Sequence, residues 1–158
     1  MTKSRFLLAL LVLVQVGACF APAQRREDDL LQEARAWNDD LRWARWDVLG
    51  QALTPEENAR MQERRDLIAK ELVIADNEVT AVHFQPGSRG AAVSVTLDWY
   101  KKSEAVLRQT TLEQQWELRA GHWIMIKQKR TRGDRFPLVP EPVEKQRAPS
   151  PAAGSVPG

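Results

Sequence analysis

Apolar residues recur at Leu30, Ala34, Trp37, Leu41, Ala44 and Val48, at the three- and four-residue spacing that draws one stripe along an amphipathic helix. Trp43 and Trp46 fall off that stripe. The pattern therefore predicts a bend between Arg42 and Trp46, with a short helix restarting at Asp47. Thr54-Pro55-Glu56-Glu57 then supplies an N-cap hydroxyl, a proline where no helical N–H is needed, and a glutamate at the capping-box position. A helix is predicted from Pro55 to about Glu71, with Met61, Leu67, Ile68 and Leu72 on its apolar side and Arg60, Glu63, Arg64, Asp66 and Lys70 in solvent.

Beyond Leu72 the period changes from helical to alternating. Ala91, Val93, Val95, Leu97 and Trp99 point one way and Ala92, Ser94, Thr96, Asp98 and Tyr100 the other, which is the pattern of a half-buried strand. Val79 to Phe84 is the first arm of its hairpin, and Val106 to Arg119 with His122 to Arg130 forms a second hairpin across Ala120-Gly121. A two-residue turn there puts Trp116, Leu118, Trp123 and Met125 on one face and leaves Ile124 and Ile126 on the other, whereas a bulge at Gly121 changes that parity. Helices followed by antiparallel strands give an α+β fold, with N-terminal helices packed on a curved four-stranded antiparallel sheet. The domain is expected over residues 27–132. From Gly133 onward, six of the nine prolines mix with small and charged residues, so residues 133–158 read as a disordered Pro-rich tail, removable from about Phe136 without loss of stability.

The chain begins with Lys3 and Arg5 ahead of a nine-residue apolar run, Phe6 to Val14, closed by small residues. That is the layout of a signal peptide over residues 1–18, and the run is well short of the roughly 20 residues that a bilayer-spanning helix needs. Val16-Gly17-Ala18-Cys19 resembles the bacterial lipobox, whose cysteine becomes the lipidated (palmitate-bearing) N-terminus. Cys19 is the single cysteine. The resemblance implies a lipoprotein of the cell envelope, anchored by Cys19 through a linker at residues 19–26. Because Phe20 stands where an aspartate would signal inner-membrane retention, it points to the outer membrane. The competing reading is cleavage after Ala23 of Ala21-Pro22-Ala23, which gives a soluble periplasmic protein.

Removal of residues 1–18 takes two basic groups and no acids, so the mature chain holds equal numbers of each and has no net attraction to nucleic acid. Its charge is uneven. Residues 19–78 are net acidic and residues 79–158 net basic, as an acidic helical layer on a basic sheet would be, and Lys127, Lys129, Arg130, Arg132 and Arg135 form one local basic run.

The order of motifs is itself informative. Asn38-Asp-Asp-Leu-Arg-Trp43 at a helix end, the capped helix, Ile74-Ala-Asp-Asn-Glu-Val79, a strand ending Trp99-Tyr100, Gln115-Trp116-Glu117 and Gly121-His-Trp123-Ile124 are together similar to nuclear transport factor 2-like (cystatin-like) domains. The resemblance covers about residues 27–130. It implies a sheet curved around a long helix into a cone, often dimeric through the sheet, with an Asp, His or Tyr inside the cone in those members that are enzymes.

Here the catalytic candidates are Asp98, Tyr100, His83 and His122, with Glu117 beside them. No nucleophile elbow, phosphate loop or dinucleotide fingerprint accompanies them. Two distant histidines and one cysteine offer no paired ligand spacing, so neither metal nor cofactor is expected. Trp43, Trp46, Trp116 and Trp123 are the binding candidates, since aromatic anchors are enriched at interfaces. The expectation is a tethered, non-catalytic binding or assembly module, and the competing reading is a small isomerase or cyclase with a polar residue in the cone. The expected partners are the membrane through Cys19 and either a second copy or another envelope protein. The second-copy reading rests on the apolar residues of the last hairpin, which alternation divides between two faces while the helices cover one; the alternative cover is residues 133–142 folding back through Phe136, Leu138 and Val139.

Overall fold

The computed structural model describes residues 21–85 and 89–141. The expected signal segment, Cys19 and the residues beyond Glu141 lie outside the described residues. Helix α1 (Ala21–Arg42), α2 (Trp46–Leu49), a 3-10 turn at Gly50–Ala52 and α3 (Pro55–Ile68) lead into β1 (Leu72–Phe84), β2 (Gly90–Lys101), β3 (Arg108–Arg119) and β4 (His122–Gly133). The strands form one open antiparallel sheet in chain order, so the protein is α+β.

The stripe along α1 buries Leu30, Ala34, Trp37 and Leu41 and ends with the helix at Arg42. Arg45 N–H donates to Asp40 O at 2.9 Å and Ala44 N–H to Leu41 O at 3.1 Å, the paired bonds of a Schellman ending, with Ala44 at φ 53°. This reversal is the predicted bend. It takes Ala44 and Val48 off the stripe, puts Trp43 68 % into solvent under the Arg42 guanidinium, and turns Trp46 back against the core. Trp37 Nε1 donates to Leu49 O at 3.1 Å and so ties α2 to α1.

At the start of α3, Thr54 Oγ1 accepts from Glu57 N–H at 3.3 Å, as the capping motif requires. The other half of the box is replaced. Thr54 N–H donates to Met125 O at 3.2 Å, where Leu53 bridges β4, and the buried Glu57 carboxylate accepts from Arg60 instead. Helix α3 stops at Ile68, short of the predicted Glu71, and Leu67 is 84 % exposed, so it does not belong to the apolar side. Strand β1 begins at Leu72 and not at Val79. Irregularities at Ile74/Asp76 and Val79/Ala81 break its alternation, which is why its first half does not read as a strand.

One face of the sheet carries Ile74, Ala91, Val93, Val95, Leu97, Trp99, Leu112, Trp116, Trp123 and Met125, all buried with the α1 stripe and Met61. The β3–β4 turn is two residues long, Ala120 at φ 49° and Gly121 at φ 87°, and it fixes the register Arg119↔His122. The parity therefore follows the two-residue alternative. A shift opposite Gln115/Trp116 then brings Gln128 to the buried face, leaving Ile124 and Ile126 half-buried on the other.

Both domain boundaries differ from those read in the sequence. Residues 21–26, expected as linker, are the first turns of α1. Residues 133–141, expected as the start of the disordered tail, return across the helix-covered face as a strap in which Phe136, Leu138 and Val139 are buried. Gly133 (φ +81°) makes this possible: a Cβ there would stand 2.2 Å from Gln109 O, a backbone atom that cannot yield. Asp134 N–H donates to Gln109 O at 2.9 Å, Phe136 meets Trp99 edge-on at 5.6 Å, and Arg64 donates to Pro137 O at 3.4 Å. Pro137 and Pro140 coexist with a packed segment because Phe136, Leu138 and Val139 beside them reach the core.

Candidate surface site

The space between α1 and the sheet is filled. Trp99, Trp116, Leu97 and Leu112 are no more than 2 % exposed; Trp116 Nε1 and Gln128 Oε1 are buried without a partner among the described residues, while other polar groups of the interior pair with one another. Asn38 Nδ2 donates to Gln114 Oε1 at 3.2 Å and to Ala34 O at 2.7 Å, while Gln114 Nε2 donates to Asn38 Oδ1 at 3.0 Å. Trp99 Nε1 donates to Thr110 Oγ1 at 2.9 Å, which donates on to Asp134 O at 2.7 Å.

The catalytic candidates are elsewhere. Register places His83 opposite Ala92 and Tyr100 opposite Val73 on the outer face, and Glu117 opposite Ile124. Asp98 lies on the same face and accepts from Gln109 Nε2 at 2.9 Å. His122 is exposed at the tip of the last hairpin. The structure thus scatters these residues and brings none into the interior. Among the described residues no group of three or more His, Cys, Asp or Glu side chains is placed to hold a metal ion.

Of the tryptophans, Trp116 is core at 1 % exposure and is not a surface binding residue, a correction to the expectation for it. Trp43 is exposed, Trp46 half-buried, and Trp123 forms the floor of a surface groove. Two adjoining hollows, about 520 and 340 Å³, share Glu33, His122 and Trp123. The larger is walled by Ala36 and Asp40 of α1, Gln51 and Ala52 of the 3-10 turn, and Arg119 and Ile124 of the hairpin. Phe84 meets Trp123 edge-on at 6.0 Å, and the Arg26 guanidinium lies 5.6 and 5.7 Å from their ring centres. Glu33, Ala36 and Asp40 read in the sequence as the wet side of a helix. The groove exists because α2 and the 3-10 turn stand beside the hairpin tip, a tertiary placement with no local signal apart from Trp123.

Charge is mostly paired at the surface. Lys129 binds Glu113 at 2.8 Å and holds its carboxyl below the usual range, Lys101 and Arg108 do the same to Glu104, and Arg130 does so to Glu141. The basic run from Lys127 to Arg135 is therefore partly neutralised within the chain. The helices are net acidic and the sheet net basic, yet the layers meet through apolar side chains, and the exposed ion pair that joins α1 to β1, Arg42 to Asp76 at 2.9 Å, runs in the opposite sense.

No family model matches the chain, and neither the curated proteins nor the solved structures contain a match to it.

Proposed function

We propose that this protein is a cell-envelope lipoprotein, anchored through Cys19, whose nuclear transport factor 2-like domain is a non-catalytic binding or assembly module. The filled interior carries this reading. A domain of this kind acts on a small substrate from inside its cone, and here that volume belongs to Trp99, Trp116, Leu112 and the Asn38–Gln114 pair, while His83, Asp98, Tyr100, Glu117 and His122 face outward or sit at a tip. Recognition then falls to the surface. The outer sheet face offers Tyr100, Ile124 and Ile126 among charged neighbours, and the strap does not cover it, since Phe136 packs on Trp99 of the opposite face. A second copy of the chain is the occupant proposed for that face.

Two measurements test this. Cys19→Ser moves the protein out of the membrane fraction and abolishes acyl labelling; a mature N-terminus at Gln24 in the wild type overturns the anchor. Light scattering on the soluble Cys19→Ser protein shows a dimer that Ile126→Glu separates without change in its circular dichroism. A monomer at every concentration overturns self-association.

A further inference from the structure

We infer that the groove over Trp123 is a docking site for an extended segment of a partner protein, one that carries a lysine or arginine two residues from a bulky apolar side chain. The inference rests on the binding-module reading and names the chemistry that such a partner brings. Asp29, Glu33, Ala36 and Asp40 follow one another at spacings of four, three and four residues along α1, so they share one face of the helix. That face walls both hollows, with Asp29 and Glu33 at the smaller and Glu33, Ala36 and Asp40 at the larger. The buried rings of Trp37 and Trp123 form the floor of the larger one.

The charge left over along the groove is net negative. Arg45 holds Asp40 at 2.6 Å, Glu117 holds Arg119 at 2.7 Å, and the Arg26 guanidinium is stacked on Phe84 and Trp123. Among the described residues neither Asp29 nor Glu33 has a hydrogen bond or an ion pair, so the smaller hollow presents two unpaired carboxylates one helical turn apart. A cationic side chain satisfies both, and its methylenes run along Leu118 and Trp123. The larger hollow differs in kind. Ala36, Val48, Ala52 and Ile124 give it apolar walls, and Val48, at 39 % exposure, is one of the few large apolar side chains that the described fold leaves in solvent. A leucine or an aromatic ring seated there removes that surface from water.

Both hollows are open to solvent on one side, and they run into each other at Glu33 and Trp123. A small molecule is held in a site that encloses most of its surface, whereas a half-open groove between a helix and a hairpin suits side chains entering from a chain that lies across it. The spacing agrees with such a chain. From the midpoint of Asp29 and Glu33 to Ala36 is about 7.5 Å along the helix, and side chains two residues apart on one side of an extended strand are separated by about 6.6 Å. An acidic segment would meet Asp29 and Glu33 with like charge, which fixes the sign of the partner.

The test titrates the isotope-labelled soluble Cys19→Ser protein with the peptide acetyl-Trp-Gly-Lys-amide and follows the Gly121 amide and the Trp123 indole N–H by NMR. Both signals move in this protein. The peptide acetyl-Trp-Gly-Glu-amide binds at least about fivefold more weakly, and so does the lysine peptide to a variant carrying Asp29→Asn and Glu33→Gln. Salt weakens the lysine peptide's binding to the parent protein and not to that double variant. Ala36→Lys, at an exposed helical position, sets a cation of the chain's own beside Glu33 and blocks the groove with unchanged circular dichroism. Equal affinity for the two peptides, or equal affinity of parent and double variant for the lysine peptide, overturns the charge recognition. No movement of either signal at about 10 mM lysine peptide overturns the docking site. Light scattering on the same sample separates the two readings: a dimer with a silent groove removes the groove and leaves the second copy, while a monomer that binds the peptide removes the second copy and leaves the groove.

Discussion

Among the described residues, three non-glycine ones, Ala44, Ala105 and Ala120, hold positive φ, and each sits where the chain reverses. Ala44 is the most consequential, because the Schellman bonds across it end α1 and set the direction of α2. An alanine in this conformation carries steric strain that glycine lacks, and the Arg45–Asp40 ion pair at 2.6 Å spans the same reversal. Ala44→Gly is expected to stabilise the protein by about 0.5–1 kcal/mol, since relief of strain exceeds the entropy that glycine adds to the unfolded chain. Urea denaturation of the soluble Cys19→Ser protein reads this as a raised midpoint at unchanged slope. A lowered midpoint would show that the bend is imposed by packing of Trp46 and Leu49 and not by the local turn.

Between elements, the decisive contact is polar. Asn38 of α1 and Gln114 of β3 are both fully buried and exchange two hydrogen bonds, which fixes the helix in one axial position on the sheet. Asn38→Leu leaves the Gln114 amide without its partner and is expected to cost about 2–3 kcal/mol. Replacing both by leucine recovers part of that loss, a coupling that a double-mutant cycle measures. The same scale shows what was readable in the sequence. The α1 stripe as far as Leu41, the Thr54 N-cap hydroxyl, the alternation from Ala91 to Trp99 and the two-residue turn at Ala120-Gly121 are local patterns with local causes, and the structure shows each of them. Strand β1 before Val79, the inward turn of Gln128 and the exposure of Leu67 depend on bulges and on where neighbours stop. The groove at Trp123 is built by three segments, residues 33–40, 48–52 and 119–124, and the outward direction of Asp98 was legible only as its parity on β2.

Across the whole molecule, the strap decides how far the domain extends. Phe136, Leu138 and Val139 fill the space between α3 and the sheet, against Trp99, so this end of the core is closed by the last described residues of the chain. Phe136→Ala is expected to cost about 3 kcal/mol or more, as for other buried phenylalanines, and truncation before Phe136 to cost more still. The strap is fastened at its far end by the two hydrogen bonds from Arg130 to the Glu141 carboxylate, at 2.9 and 2.5 Å. Arg130 holds the Glu141 carboxyl below the ordinary glutamate value of 4.5, chiefly through these hydrogen bonds. A carboxylate depressed in the folded state contributes its stability above the unfolded value, and that contribution disappears as the pH falls through the folded one. Acid below about pH 4.5 should therefore loosen the strap, by a small amount because the pair is solvent-exposed. Glu104 and Glu113 are depressed in the same direction and give the wild type a background slope of the same sign. Glu141→Gln isolates the strap's share: its stability at neutral pH falls slightly, and its loss between pH 7 and about pH 3 is smaller than that of the wild type. Hydrogen exchange at the Val139 amide, which donates to Phe136 O at 3.1 Å, reports the same event locally. Faster exchange in acid for the wild type, and pH-independent protection in Glu141→Gln after correction for intrinsic rates, are the expected pair of results. Equal acid sensitivity in both would place the fastening in the buried side chains alone.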